Sequence, residues 1–140
     1  MAEKFNSYVT SIPFSNNLKG MVIVPQQGVS INSEYGYGSR PSGSTSQVHS
    51  IYLTYSSPDS IMENPESMAP IVSISILDNS NGREYYIAKA VMILPNSSFY
   101  IEKSITLTTN ESLKLTYHGR KDGSIPSLKV DAVCSSVDLT

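Results

Sequence analysis

The chain has 140 residues, a net charge of −2 at neutral pH and a single cysteine. That length predicts one domain with a true core. The near-neutral charge gives no pull toward nucleic acid or anionic membrane, and a lone cysteine excludes an intrachain disulfide framework. Hydrophobic residues make up 39% of the chain and charged residues only 16%. With Ser, Thr, Asn and Tyr carrying most of the polarity, this mix suits β structure and argues against a helical bundle. No apolar run reaches the roughly 20 residues of a membrane span. Met1-Ala2-Glu3-Lys4-Phe5 is not followed by an apolar core, so no signal peptide is expected and synthesis in a reducing cytosol is.

Residues 1–25 hold two extended pieces, Ser7 to Phe14 and Met21 to Val24, with Asn16-Asn17 between them and Pro25 closing the second. They read as edge strands or as an arm that docks on a neighbouring subunit. Residues 26–46 read as a long loop, in which Gly36, Gly38, Pro41 and Gly43 sit among serines and Tyr35 and Tyr37 flank the first glycine. A loop of this length in a compact domain tends to be functional, or ordered by a partner.

His49 to Tyr55 alternates, placing His49, Ile51, Leu53 and Tyr55 on one expected face. Residues 58–70 contain Pro58, Pro65 and Pro70 and read as a second long loop, with room for one helical turn at Ile61-Met62-Glu63. From Ile71 onward the chain reads as five or six short strands. Val72, Ile74 and Ile76 alternate with Ser73 and Ser75, the period of a strand with one buried face. Asp78-Asn79-Ser80-Asn81-Gly82 is a hairpin turn. A return strand over Glu84–Leu94 is stopped by Pro95-Asn96-Ser97-Ser98. Further runs follow at Phe99–Ile101, Ile105–Leu107, Leu113–Tyr117 and Leu128–Cys134. Strands this close together bury their apolar faces best as two packed sheets.

Groups able to do chemistry are scattered. Neither His49 nor His118 has a carboxylate or second histidine at metal-ligand spacing, and no Gly-x-Ser-x-Gly elbow occurs. Both read as structural or surface residues. Cys134 shares a face with Leu128, Val130 and Ala132 and reads as a small buried hydrophobe. Asp131 points away from that face, and Asp138 falls in the tail. Asp78 to Gly82 lacks the closing Glu of a calcium loop. Gly36-Tyr37-Gly38 lacks the third glycine and the following helix of a dinucleotide loop. No catalytic, metal or cofactor site is expected.

The second half resembles a family of small virion proteins of tailed bacteriophages. The residues that carry the resemblance are the alternating strand Val72–Leu77, the turn Asp78–Gly82, Tyr85-Tyr86-Ile87-Ala88-Lys89 and Pro95-Asn96-Ser97-Ser98. It continues through Ile105-Thr106-Leu107, Glu111-Ser112-Leu113-Lys114-Leu115 and Leu128–Val133, and covers roughly residues 47–137. The 58–70 loop is longer than the family pattern, and residues 1–46 have no counterpart in it. The resemblance implies a non-enzymatic structural subunit in the capsid, neck or tail, made in the host bacterial cytoplasm and localised to the virion. Its partners would be other virion proteins and copies of itself, in a homo-oligomer without direct nucleic acid or membrane contact.

The expectation is therefore an all-β protein: an antiparallel, jelly-roll-like β-sandwich of about seven to eight strands over residues 47–137. An N-terminal arm (1–25) and a Gly/Ser/Tyr loop (26–46) belong to the same domain. Tyr8, Phe14, Tyr35, Tyr37 and Arg40 are the expected partner contacts. The alternative is a carbohydrate-binding sandwich module of a phage tail or receptor-binding apparatus, using Tyr35, Tyr37, Tyr52 and Tyr100; the absence of Trp counts against it. A hydrolase with a site formed only on folding is the third expectation weighed, and the weakest.

Overall fold

The computed structural model describes residues 3–56, 69–94 and 98–140. The helical turn expected at Ile61-Met62-Glu63, most of the 58–70 loop and the Pro95-Asn96-Ser97 stop lie outside these residues. The described residues form ten strands: β1 (Glu3–Phe14), β2 (Gly20–Val24), β3 (Gly36–Tyr37), β4 (Thr45–Ser56), β5 (Ile71–Asp78), β6 (Arg83–Met92), β7 (Phe99–Ile101), β8 (Ile105–Leu107), β9 (Glu111–Gly119) and β10 (Leu128–Leu139).

One sheet runs β3-β1-β10-β4-β7, with β8 also paired to β4, and the other runs β2-β9-β5-β6. All pairings are antiparallel. The chain crosses between sheets from β1 to β2, β2 to β3, β4 to β5, β6 to β7, β8 to β9 and β9 to β10. The first and last long strands, β1 and β10, lie side by side in one sheet, and β2 and β9 lie side by side in the other. That strand order is a jelly roll. Three of the ten strands, β3, β7 and β8, are only two or three residues long, so the frame is close to the eight strands expected.

Alternation sets which side chains go inside. In β10, Leu128, Val130, Ala132, Cys134, Ser136 and Asp138 point inward and are buried, while the residues between them are more exposed. β1 pairs with β10 along its whole length, from Glu3 opposite Leu139 to Phe14 opposite Leu128. The core joins Tyr8, Ile12, Phe14, Ile51 and Leu53 of the first sheet to Val72, Ile74, Leu113, Leu115 and Tyr117 of the second. Each such aliphatic side chain contributes about 1.5–3 kcal/mol.

Several expectations change here. The sandwich begins at Glu3, not at residue 47: Ser7–Phe14 belongs to an integral strand, and Met21–Val24 forms the edge of the second sheet. Within residues 26–46 lies β3, which adds to β1 at Val9 and Thr10. His49 does not share the face of Ile51. The β4–β10 register slips between Ser135 and Ser136, and this bulge puts Val48 inside and turns His49 out to solvent. Asp138 is not tail but an inward, fully buried residue of β10.

Candidate interaction surfaces

Three of the five expected contact residues are interior. Tyr8 is fully buried, and its hydroxyl donates to Asp138 at 3.2 Å. Burial, with the Asp138 carboxylate alongside, pushes the phenol up to about 12. Asp138 also accepts hydrogen bonds from Ser46 and Ser136 and from the Asn6 amide at 2.9 Å, so this buried carboxylate is well satisfied. Phe14 packs against Tyr117 with ring centroids 5.5 Å apart. These side chains are part of the sandwich itself and do not offer a partner any surface.

Arg40 is also buried. Its guanidinium donates to the backbone carbonyls of Pro25 (3.2 Å), Glu111 (2.6 Å), Ser44 (2.9 Å), Leu107 (3.1 Å) and Thr108 (2.5 Å), and to the Ser44 hydroxyl (3.3 Å). Burial lowers its pKa, and Tyr8, Asp138 and Glu111 oppose that shift. The planar fork suits this task, because it can serve carbonyls in several directions at once. Arg40 thereby fastens the 26–46 segment to the β8–β9 turn. Nothing in the local sequence distinguishes such an internal tether from a surface arginine.

Tyr35 is half-buried, and its backbone carbonyl accepts from the Ser11 N–H at 2.7 Å. Tyr37 is the one expected contact that faces solvent broadly, at 65% exposed. It sits opposite Val9, Val9 opposite Val133, Val133 opposite Tyr52, and Tyr52 opposite Tyr100. Directly opposed residues in antiparallel strands share a face. The result is one transverse row, Tyr37-Val9-Val133-Tyr52-Tyr100, across five strands of the solvent face of the first sheet. Tyr52 and Tyr100 stack with centroids 4.1 Å apart and planes 15° from parallel, and the Tyr100 hydroxyl donates to Glu102 at 3.1 Å. Three of the four tyrosines named from sequence for a sugar site thus come together, and Val9 and Val133 join them. Alternation marks Tyr52 as outward, whereas Tyr37 falls in the expected loop, and only the register shows that the row is collinear.

Beside this row lies an open hollow of about 530 Å³ lined by Phe5, Ser7, Tyr37, His49 and Ser135, among others. Phe5 is 82% exposed. Tyr37 reaches the rim because Gly36 lets β3 ride directly over β1: a Cβ at Gly36 would stand 1.9 Å from the Val9 carbonyl oxygen. Gly38, at φ +139°, lies similarly close to Tyr8. The glycines around Tyr37 therefore mark close backbone approach, not a phosphate loop.

Among the described residues the second sheet ends in β6, which pairs only with β5. Tyr85 and Tyr86 on this strand are 50% and 49% exposed, and Met92 and the adjacent Leu94 are also exposed. Lys89 lies over the Tyr86 ring at 5.1 Å, and Glu84 pairs with Lys114 at 3.1 Å. The β5–β6 register shifts twice, and Ala90 takes a left-handed φ of +53°. A separate groove of about 460 Å³ runs along the solvent face of this sheet between Val22, Val29, Leu77 and Lys114.

Among the described residues two serine–histidine contacts occur. Ser73 Oγ lies 2.7 Å from His118 Nε2, and Ser104 Oγ lies 3.3 Å from His49 Nδ1. Ser73 is fully buried, and its oxygen already accepts the Ala90 N–H at 2.9 Å, so it pins the β6 bulge and has no path to a substrate. Cys134 is buried, which pushes its thiol up to about 12. Both features make it a poor nucleophile. Among the described residues no group of three His, Cys, Asp or Glu side chains is placed to hold a metal ion.

No family model matches the chain, and no curated protein matches it. Among solved structures, a chain of the cyanophage Pam1 capsid asymmetric unit is 10% identical with a TM-score of 0.42, over 96% of this chain and 84% of that one. A chain of the infectious bursal disease virus Gx strain is 9% identical with a TM-score of 0.48, over 99% of this chain and 33% of the other. The Clostridium thermocellum xylanase 10B CBM22-1-GH10 structure, complexed with xylohexaose, is 12% identical with a TM-score of 0.36, over 97% of this chain and 26% of that one. With scores below 0.5, the fold rests on the strand order itself.

Proposed function

We propose that this protein is a non-enzymatic structural subunit of a virion, of the tailed-phage kind its sequence resembles, packing against copies of itself and other virion proteins. The observation that carries this is β6. Among the described residues it is an edge strand with one side unpaired, and it exposes Tyr85, Tyr86 and Met92. The register shifts and Lys89 blunt this edge against strand addition, so its docking value lies in its exposed aromatic side chains, which concentrate where partners dock. The jelly-roll frame supports the same role, since it is a fold of capsid as well as lectin domains. The docking function first expected of residues 1–46 passes to β6, because Tyr8, Phe14 and Arg40 are committed to the interior. The place of the subunit would be capsid decoration, neck or tail, in the assembled particle.

Removing residues 1–46 would delete β1, β2 and β3 and so test folding rather than assembly. Sedimentation velocity across a concentration series, comparing the wild type with a Tyr85→Lys/Tyr86→Lys variant, tests the proposal directly. Wild-type self-association that the variant loses, with an unchanged melting temperature, is the expected result. A wild type that stays monomeric at every concentration, or a variant that associates equally well, would refute it.

A further inference from the structure

We infer that the hollow at Phe5, Ser7, Tyr37, His49 and Ser135, continued by the Tyr37-Val9-Val133-Tyr52-Tyr100 row, is a binding site for a neutral glycan chain. It is separate from β6 and stands whether or not β6 mediates assembly.

The composition of the hollow selects the ligand. Two aromatic side chains, Phe5 and Tyr37, stand at its rim largely exposed. Such rings present flat apolar faces to the C–H face of a pyranose. The hydroxyls of Ser7 and Ser135 lie between them and make no hydrogen bond within the described residues. The bulge opposite Ser135/Ser136 turns His49 into the same hollow, and the Ser104 contact occupies only Nδ1 of that ring. Among the described residues no Asp, Glu, Lys or Arg lines the hollow. Nothing there would select a phosphate or a cationic peptide, whereas free hydroxyls and an imidazole beside aromatic faces suit a polyhydroxylated, uncharged molecule.

The row sets the length. From Tyr37 to Tyr52 it crosses three strand spacings, roughly 14 Å at about 4.8 Å each. Val9 and Val133 form a low floor between the two tyrosines. Ser7, Ser50 and Ser135 border the floor on one side, and Ser11, Thr54 and Asp131 on the other. Because the Tyr52 and Tyr100 rings stack on each other, one face of Tyr52 is already occupied. Tyr37 and Phe5, the aromatic groups at the hollow, therefore carry most of the recognition.

Isothermal titration of the full chain with neutral gluco-, xylo-, manno- and N-acetylglucosamine hexasaccharides tests this. At least one of these probes is expected to bind saturably. Tyr37→Ala and Phe5→Ala should each weaken that binding at least about tenfold. Ser135→Leu, which fills the floor at an exposed position, should abolish it. Tyr85→Ala should leave it unchanged, and all four variants should keep the wild-type melting temperature within a few degrees. Absence of binding to every probe, or binding that survives the first three substitutions, would overturn the assignment. So would loss of self-association, rather than of sugar binding, in Tyr37→Ala, since the face would then belong to a second copy of the chain.

Discussion

The Arg40 guanidinium donates to the backbone carbonyl of Glu111 at 2.6 Å, joining residues 71 positions apart. The same side chain also reaches Pro25, Leu107 and Thr108. One cation thus satisfies carbonyls from the end of β2, from β8 and from the turn into β9. The segment carrying Tyr37 is held from within by this contact set and needs no partner to order it.

Replacing Arg40 with Met should cost about 3–5 kcal/mol, because five carbonyls, three of them in buried contacts, lose a charged donor together. Arg40→Lys should recover little of this, since an ammonium group cannot reach carbonyls spread around a planar fork. Urea unfolding of the three proteins measures the effect. A Met variant within 1 kcal/mol of wild type would show that solvent satisfies those carbonyls readily.

Stability should fall in alkali. In the folded state the Tyr8 phenol holds its proton to about 12 against an ordinary 10, and the Cys134 thiol holds its own to about 12 against an ordinary 9. The unfolded chain loses both protons earlier. Between pH 9 and 12 it therefore binds fewer protons than the native state, and stability declines as pH rises. The Cys134 contribution sets in as pH rises through the ordinary thiol value of 9 and fades below it, and that of Tyr8 sets in around 10. Urea midpoints at pH 8, 10 and 11 should decline, and Cys134→Ala should flatten the early part of that decline while lowering stability uniformly through its cavity. A flat profile to pH 11 would contradict this account.

Ala90→Gly should be neutral to stabilising, by up to about 1 kcal/mol. Ala90 sits at φ +53°, where a Cβ costs roughly 1–2 kcal/mol, partly offset by the greater freedom glycine loses on folding. The contact between Ser73 Oγ and the Ala90 N–H involves backbone at position 90 and survives the change. Thermal unfolding compares the two; a marked loss of stability would mean that the methyl group packs favourably against its surroundings.

Much of the frame was legible because alternation is a local signal. The inward set Leu128, Val130, Ala132 and Cys134 follows from period 2 alone, and the Asp78–Gly82 turn from its Asx/Gly composition. In β5, however, the one buried face expected from alternation fails, since Ser73 and Ser75 are buried as fully as Val72 and Ile74. What depended on long-range pairing was not legible. Glu3–Phe14 looks like an arm until β10 is laid against it. Arg40 looks solvated until five distant carbonyls surround it. The His49 bulge leaves no local mark, since one inserted residue reverses the alternation without breaking it. Tyr37, Tyr52 and Tyr100 could be named one by one, but their collinearity exists only in the register of β3, β1, β10, β4 and β7.

Gly36→Ala should separate the placement of Tyr37 from its chemistry. The added Cβ would meet the Val9 carbonyl oxygen at 1.9 Å and the Thr10 Cα at 2.8 Å. Both are backbone atoms of a strand locked to β10, so β3 must give way. Lifting β3 loses its pairing with Val9 and Thr10 and should cost about 1–3 kcal/mol, the usual range for overpacking. The β1–β10 ladder should survive. Tyr37 would leave the row while the remaining four members stay in place. Gly43→Ala is the control for an added methyl group without a clash: its Cβ meets nothing within 4 Å, although Gly43, unlike Gly36, sits at a positive φ, +72°. Tyrosine ring resonances report the outcome. In Gly36→Ala the Tyr37 signals should shift while those of stacked Tyr52 and Tyr100 hold, and in Gly43→Ala all three should hold. If Tyr37 held its position in Gly36→Ala, its place on the rim would owe nothing to the close approach of β3 to β1.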